Sequence, residues 1–239
     1  MTIRVALFDL DDTLFAHAHA VREGIVDRVS ALGAPYTAPR EDVQRRWYEL
    51  EEEHYHRYLA GELDYEGQRR ARATAFAAEA GVDLSPDEAS AWFAAYLEHY
   101  VANWTLHDDA LPALDRLDAS GVRIGVITNG DLDFQRNKVE ELGLTPRIEH
   151  LVASGDVGVT KPDARIFEVA CERFGVAVEE ALYVGDRLAT DAIGAARAGL
   201  QGVWLDRIGG PEHGRELPPE AVALSVQRIG SLGGLARLL

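Results

Sequence analysis

The sequence holds a single cysteine, Cys171, so no intrachain disulfide can form and the fold rests on packing and hydrogen bonds. Cys171 lies in the helix-like run FEVACERFG and reads as a small core residue. No run of about 18 apolar residues occurs, so no membrane span is expected. The opening MTIRVALFDL goes straight into an apolar strand, with neither the apolar stretch nor the cleavage site of a signal peptide, and a cytoplasmic protein is the expectation. Positive charge is scarce. Against 40 Asp and Glu stand 24 Lys and Arg, a formal net charge of -16. Such a surface repels nucleic acid and anionic membranes, so neither is an expected partner. An anionic ligand would need a local cluster of cations and backbone N–H groups. Long polar tracts and low-complexity segments are missing too, which excludes a disordered chain.

What is present is a 239-residue chain, 47% apolar and 27% charged, the composition of a soluble globular protein. That length accommodates one large domain, or one domain carrying a smaller one. Short apolar runs at Val5–Phe8, Val122–Ile127, Ala181–Val184 and Gly202–Leu205 read as buried parallel strands, and Glu149–Ala153 as a further one. Helical patterns separate them at Leu111–Ser120, Leu132–Leu142, Asp163–Phe174 and Thr190–Ala198. Alternation of this kind predicts an α/β fold with a doubly wound, Rossmann-like parallel sheet. Residues 16–105 interrupt it with helical spacing alone. Val21, Ile25, Val29 and Leu32 form one stripe; Val43, Trp47, Leu50 and Tyr58 another; and Ala89 to Trp104 a wide one, with Ser85-Pro86 as its expected cap. A weaker helix covers Tyr65–Ala80. The predicted division is an α/β core of residues 1–15 and 106–239 with an inserted all-helical domain of residues 16–105. The Gly/Pro-rich stretch Gly209–Pro219 reads as a loop.

Four places carry chemistry. The first strand runs into Asp9-Leu10-Asp11-Asp12-Thr13, and on an extended chain Asp9 and Asp11 would face one spot. Two carboxylates so close need a shared proton or a cation. A later strand ends in Gly185-Asp186, with Asp191 at the start of the following helix. If the two strands are neighbours, Asp9 and Asp186 make an oxygen-only site of the kind that suits Mg²⁺. A third strand ends in Thr128-Asn129-Gly130 before a helix whose N-terminus is either an anion site or simply capped by Asp131 or Asp133. The fourth is Thr160-Lys161-Pro162, where Pro162 suits the first helical position and Lys161 is either solvated or aimed inward.

In this order and context, DLDDT, VITNG, TKPD and VGDRLATD resemble the four motifs of the haloacid dehalogenase (HAD) superfamily, over residues 4 to about 205. The helical insertion is similar to that family's C1 cap. The resemblance implies a phosphatase. Asp9 would be the nucleophile that forms an aspartyl-phosphate, and Asp11 the general acid and then the base. Mg²⁺ would lie between Asp9, the Asp11 carbonyl and Asp186, with Asp191 in support. Thr128 and Lys161 would hold phosphate oxygens, helped by backbone N–H groups near Leu10 and Asn129. The cap would close over the site and select the substrate. The implied partner is a small phosphorylated metabolite, a nucleoside monophosphate or a sugar phosphate, and the chain a monomer or homodimer.

The neighbouring reading, a 2-haloacid dehalogenase, needs no second carboxylate in the first motif, and Asp11 speaks against it. A receiver module would be half this length without the insertion, and a silent binding protein would not need every motif residue. In the insertion, Arg40, Arg45, Arg46, Arg69, Arg70 and Arg72 are expected on solvated faces or paired with acidic neighbours. Trp47, Tyr48, Tyr96 and Trp104 are expected in the bundle core. His17 with His19 and His54 with His56 are two apart on a helix and do not read as metal pairs.

Overall fold

The structure, a computed structural model, describes residues 2–207 and 216–238, with Leu59 described by its backbone alone. Its strands are β1 (Val5–Phe8), β2 (Arg123–Thr128), β3 (His150–Ala153), β4 (Ala181–Gly185), β5 (Gln201–Leu205) and β6 (Gln227–Ile229). Its α-helices are α1 (His17–Leu32), α2 (Arg40–Leu59), α3 (Tyr65–Glu79), α4 (Pro86–Ala102), α5 (Ala110–Ala119), α6 (Leu132–Glu141), α7 (Ser154–Val157), α8 (Ala164–Phe174), α9 (Gly194–Arg197) and α10 (Pro219–Ala223). The six strands form one parallel sheet in the order β3-β2-β1-β4-β5-β6. This is the doubly wound α/β architecture that the alternating pattern predicts. Every residue of β1 and β4 is buried, as strands covered on both faces require. The strand order reverses between β1 and β4, and in open α/β sheets ligands bind at the carboxyl ends of the strands at such a point.

Helix α8 shows how sequence fixes the packing. Ile166, Phe167, Ala170, Cys171 and Phe174 fall on one face and are all buried. The Asp163 side chain accepts from Arg165 N–H at 2.9 Å to cap its start, and Gly175 ends it in the left-handed region. Pro162 is therefore not the first helical residue; Asp163, whose carboxylate can accept an orphan N–H, takes the cap. Cys171 is a free, buried core thiol.

Two other elements differ from the sequence reading. Thr190–Ala198 is not a plain α-helix: Leu188–Ile193 is a wide π-helical turn, followed by α9. The carboxylate of Asp191 folds back within that turn and accepts from Arg187 N–H at 3.0 Å. The edge strand β6 has only three residues, of which Ile229 alone is buried, so no apolar run announces it. Of the Gly/Pro-rich stretch, residues 209–215 lie outside the described residues, and Pro219 opens α10.

The chain divides into two compact units, one of residues up to Ala16 with those from Leu106 onward, the other His17–Thr105. Within the first unit, the segments flanking the insertion lie side by side. Phe15 forms an antiparallel bridge with Leu106, and His107 N–H donates to the Leu14 carbonyl at 2.9 Å.

The second unit is α1–α4. Ser85 and Glu88 form a reciprocal capping box ahead of Pro86, which fixes the start of α4. Gly24 lets α1 approach α4 closely, since a Cβ there would lie 2.8 Å from Tyr100 Cα. Trp47 is fully buried, its ring centroid 4.6 Å from Tyr96 and 5.4 Å from both Phe76 and Trp92. Tyr96 joins it in the core, Trp104 is only partly buried, and Tyr48 faces solvent at 45% exposure, contrary to expectation. Arg40, Arg45, Arg46, Arg69 and Arg70 pair with Glu23, Asp42, Glu79, Glu66 and Asp64.

Arg72 behaves differently. Its guanidinium is buried against the rings of Trp47 (4.6 Å) and Phe93 (5.3 Å) and donates to Glu51 Oε1 at 3.0 Å. Burial pushes the Glu51 carboxyl up, but Arg72 and then His17 outweigh it and hold it at about 2, against an ordinary 4.5. With the folded value below the unfolded one, the stabilisation is complete above the unfolded value and drains away as pH falls toward the folded one. Glu51→Gln should lower stability toward urea by about 2–3 kcal/mol at neutral pH, because Arg72 loses its counter-charge. The gap to wild type should narrow as pH falls from about 5 to about 3. Tryptophan fluorescence reports it, since Trp47, Trp92 and Trp104 lie in this unit. A gap that stays constant would mean that the Glu51 charge does not contribute.

Candidate active site

The carboxyl ends of β1 and β4 bring the acidic residues together. Asp9 follows β1 directly, and its N–H donates to the Val184 carbonyl of β4 at 2.8 Å, which locks it beside that strand. Asp186 follows β4, and its own carbonyl accepts from Trp204 Nε1 at 2.9 Å. Asp191 reaches back from the π-helical turn. It can do so because residue 185 is glycine; a Cβ there would overlap the Asp191 side chain. Carboxylate oxygens of Asp9, Asp186 and Asp191 all lie within 4.8 Å of one another.

Lys161 is neither solvated nor at the surface. Its ammonium is buried and donates to Asp9 Oδ1 at 2.6 Å, Asp191 Oδ1 at 2.7 Å and the Tyr183 hydroxyl at 2.7 Å. An ammonium has three N–H donors, and each is matched. The backbone of Lys161 is fixed as well. Asn129 Oδ1 accepts from Lys161 N–H at 2.8 Å, and Asn129 Nδ2 donates to the Lys161 carbonyl at 3.2 Å. The Asn129 side chain is thus a two-point clamp on the lysine turn, a role that the expectation of a backbone donor did not include. Thr128, the last residue of β2, is buried one strand away from Asp9. The N-terminus of α6 is capped by Asp131, which accepts from Phe134 N–H at 3.0 Å.

Asp11 is not one of the acidic trio, but its charge is close enough to raise the Asp9 carboxyl. The strand ends at Phe8, the chain bends at Leu10, and Asp12 takes a left-handed φ of 57°. Leu10 is itself buried, and its carbonyl accepts from Leu14 and Phe15 N–H. Asp11 Oδ1 pairs with Lys138 Nζ of α6 at 2.6 Å. The turn is braced from behind: Arg207 donates to the Thr13 carbonyl at 2.8 Å and pairs with Asp109.

Electrostatics follow from this crowding. Burial, only partly offset by Lys161, raises the Asp9 carboxyl to about 7, with Asp191 and Asp11 adding to the rise. Asp186 is pushed up to about 8, by burial first and then by Asp9 and Asp191. Burial disfavours the Lys161 cation, but Asp191 and Asp9 outweigh it and hold its pKa above the ordinary 10.5. With all three carboxyls ionised, one ammonium leaves two negative charges uncompensated. An oxygen-only donor set with that surplus fits a hard divalent cation such as Mg²⁺. Among the described residues this is the only such group of three.

Lys138, Tyr183 and Trp204 were not singled out in the sequence. Lys138 carried a faint signal: α6 buries Gln135 and Lys138 beside Val139, and its sequence offers too few apolar residues for a full stripe. Tyr183 reads as one more strand residue, and only its hydroxyl reaches the site.

The haloacid dehalogenase-like hydrolase family profile matches residues 3–199 of this chain. A glyceraldehyde 3-phosphate phosphatase of Methanopyrus kandleri is 34% identical over 86% of this chain and 84% of its own length. An N-acylneuraminate-9-phosphatase of Rattus norvegicus is 29% identical over 96% of this chain and 93% of its own. Among solved structures, a HAD hydrolase of Bacillus subtilis matches with a TM-score of 0.81 at 22% identity, covering 100% of this chain and 99% of that one. With the strand-end aspartates, the buried lysine and a match over most of its length, the chain belongs to the haloacid dehalogenase-like hydrolase family.

Proposed function

We propose that this hydrolase is a phosphatase that cleaves a small phosphate monoester through a phosphorylated Asp9. The observation that carries this reading is the Asp9 carboxylate at the switch point of the sheet, held through Oδ1 by a buried lysine and crowded by Asp186 and Asp191. With Oδ1 engaged by Lys161, the other Asp9 oxygen attacks phosphorus. The bond from phosphorus to the ester oxygen breaks, and Asp11 gives that oxygen its proton. Water then attacks the aspartyl-phosphate, Asp11 takes the proton, and inorganic phosphate leaves with Asp9 restored. Asp9, Asp186 and Asp191 would hold Mg²⁺, which when bound screens the nucleophile from the anionic phosphate and stabilises charge on the transferring oxygens. Thr128 and Lys161 are assigned to the phosphate oxygens. Since each Lys161 donor is matched, a phosphate oxygen gains one only by replacing a present acceptor.

The relatives favour a class of substrate. Two are named for phosphorylated carbohydrates, a triose phosphate and a sialic acid phosphate, so of the two candidate classes we favour a sugar phosphate over a nucleoside monophosphate. The helical unit is assigned to the C1 class of cap on its position in the chain, immediately after the first motif.

Hydrolysis of p-nitrophenyl phosphate by wild type should require Mg²⁺ and stop with chelator. Asp9→Asn should lower it by about a thousandfold or more. Activity that survives in Asp9→Asn would remove the covalent route. Tyr183→Phe should keep the fold and lower kcat/KM about tenfold, the worth of one hydrogen bond to a charged group. An unchanged kcat/KM would show that the two carboxylates alone hold Lys161.

A further inference from the structure

A lysine in the last turn of a helix ordinarily stretches into water and complements the helix dipole. Lys138 of α6 does not. Its side chain is 2% exposed, and its ammonium lies 4.8 Å from the Phe15 ring centroid and 5.4 Å from that of Phe134. Those rings stabilise a desolvated cation. Its carboxylate partner, Asp11, lies 127 residues earlier in the sequence, on the turn that follows the nucleophile. The pair is asymmetric, for the Asp11 side chain is 30% exposed while the lysine is enclosed. The cation is enclosed on aromatic rings, and the carboxylate it holds keeps partial access to solvent. A device that must hold an acid by one oxygen and present the other has that shape.

We propose that Lys138 is a positioning residue for proton transfer: it anchors Asp11 through Oδ1, so that Oδ2 is the oxygen that exchanges protons. This rests on the reading of Asp11 as general acid and base. In the first step the ester oxygen takes a proton from Oδ2 as its bond to phosphorus breaks and the bond from Asp9 to phosphorus forms. In the second, water bonds to phosphorus as the bond from phosphorus to Asp9 breaks, its proton goes to Oδ2, and inorganic phosphate leaves with the Asp9 carboxylate restored. Lys138 touches neither substrate nor phosphate. Its effect is to keep the acid in line with the leaving group, where small displacements are costly.

The readout is leaving-group dependence. Release of a phenolate needs little proton donation, whereas release of an alkoxide needs a proton in the transition state. The full-length chain with Mg²⁺ is assayed as wild type, Lys138→Met, Lys138→Arg and Asp11→Asn. The substrates are p-nitrophenyl phosphate and glycerol phosphate, compared by kcat/KM, which reports the steps through formation of the aspartyl-phosphate. Lys138→Met should lose about thirtyfold or more on glycerol phosphate and no more than about threefold on p-nitrophenyl phosphate. Lys138→Arg, which keeps the charge, should recover most of the loss. Equal losses on both substrates, or none on either, would overturn the proposal. So would an alkyl-selective loss in Asp11→Asn that Lys138→Met does not share, and that result would leave the reading of Asp11 intact. If Asp11→Asn itself shows no selectivity, the role of Asp11 falls and the inference with it. Should Lys138→Met fail to fold, Lys138→Gln replaces it under the same criteria.

Discussion

A single buried ammonium, that of Lys161, makes the acidic end of this sheet possible. Asp9 and Asp191 are both enclosed, and two carboxylates packed together away from water would repel each other or take up protons. The lysine sits within hydrogen-bond distance of each, and the Tyr183 hydroxyl fills its third direction. Its anchors come from distant parts of the chain: β1, β4, the π-helical turn and, through Asn129, the end of β2. All but Tyr183, which lies mid-strand, sit at a strand end or a turn, so the parallel register of the sheet sets the distances. The network is only partly neutralised. Burial first, and then the neighbouring carboxylates, keep Asp9 and Asp186 reluctant to ionise.

How much of this could be read from sequence depends on what kind of signal each part leaves. Buried parallel strands leave short apolar runs, so β1 to β5 were legible to within a residue or so. Strand β6, three residues at the sheet edge of which Ile229 alone is buried, leaves none. Helix periodicity exposed the insertion and most of its core, but amphipathic aromatic residues such as Tyr48 satisfy the same spacing at a surface. The strand-end aspartates and Lys161 were legible as motifs, while their geometry was not. Alternation along an extended chain suggests that Asp9 and Asp11 face one spot, but not that each has a lysine of its own, Lys161 and Lys138. Lys138 left only the faint signal of a helix short of apolar residues, which does not say which of its polar side chains is buried. Tyr183 was hidden because its ring packs as a core residue, 5.1 Å from Phe167, and one atom does the rest.

The helical unit repeats the same economy of charge in a different setting. Five of its arginines spend their charge on partly exposed acidic neighbours, where each pair contributes little. Arg72 alone among these six is enclosed, and it is the one whose partner, Glu51, is strongly shifted. In a chain with a net charge of -16, the cations that matter are the few taken out of solvent.

The pairing of Phe15 with Leu106, and of Leu14 with His107, has a bearing on how such a chain was assembled. From the sheet's side, an excursion of some ninety residues begins and finishes at adjacent points, as a hairpin does. The ordering cost of spanning it grows only slowly with its length, once its two ends are held together. Such a junction lets a lineage exchange one insertion for another, or shrink it to a turn, without moving a single strand of the sheet.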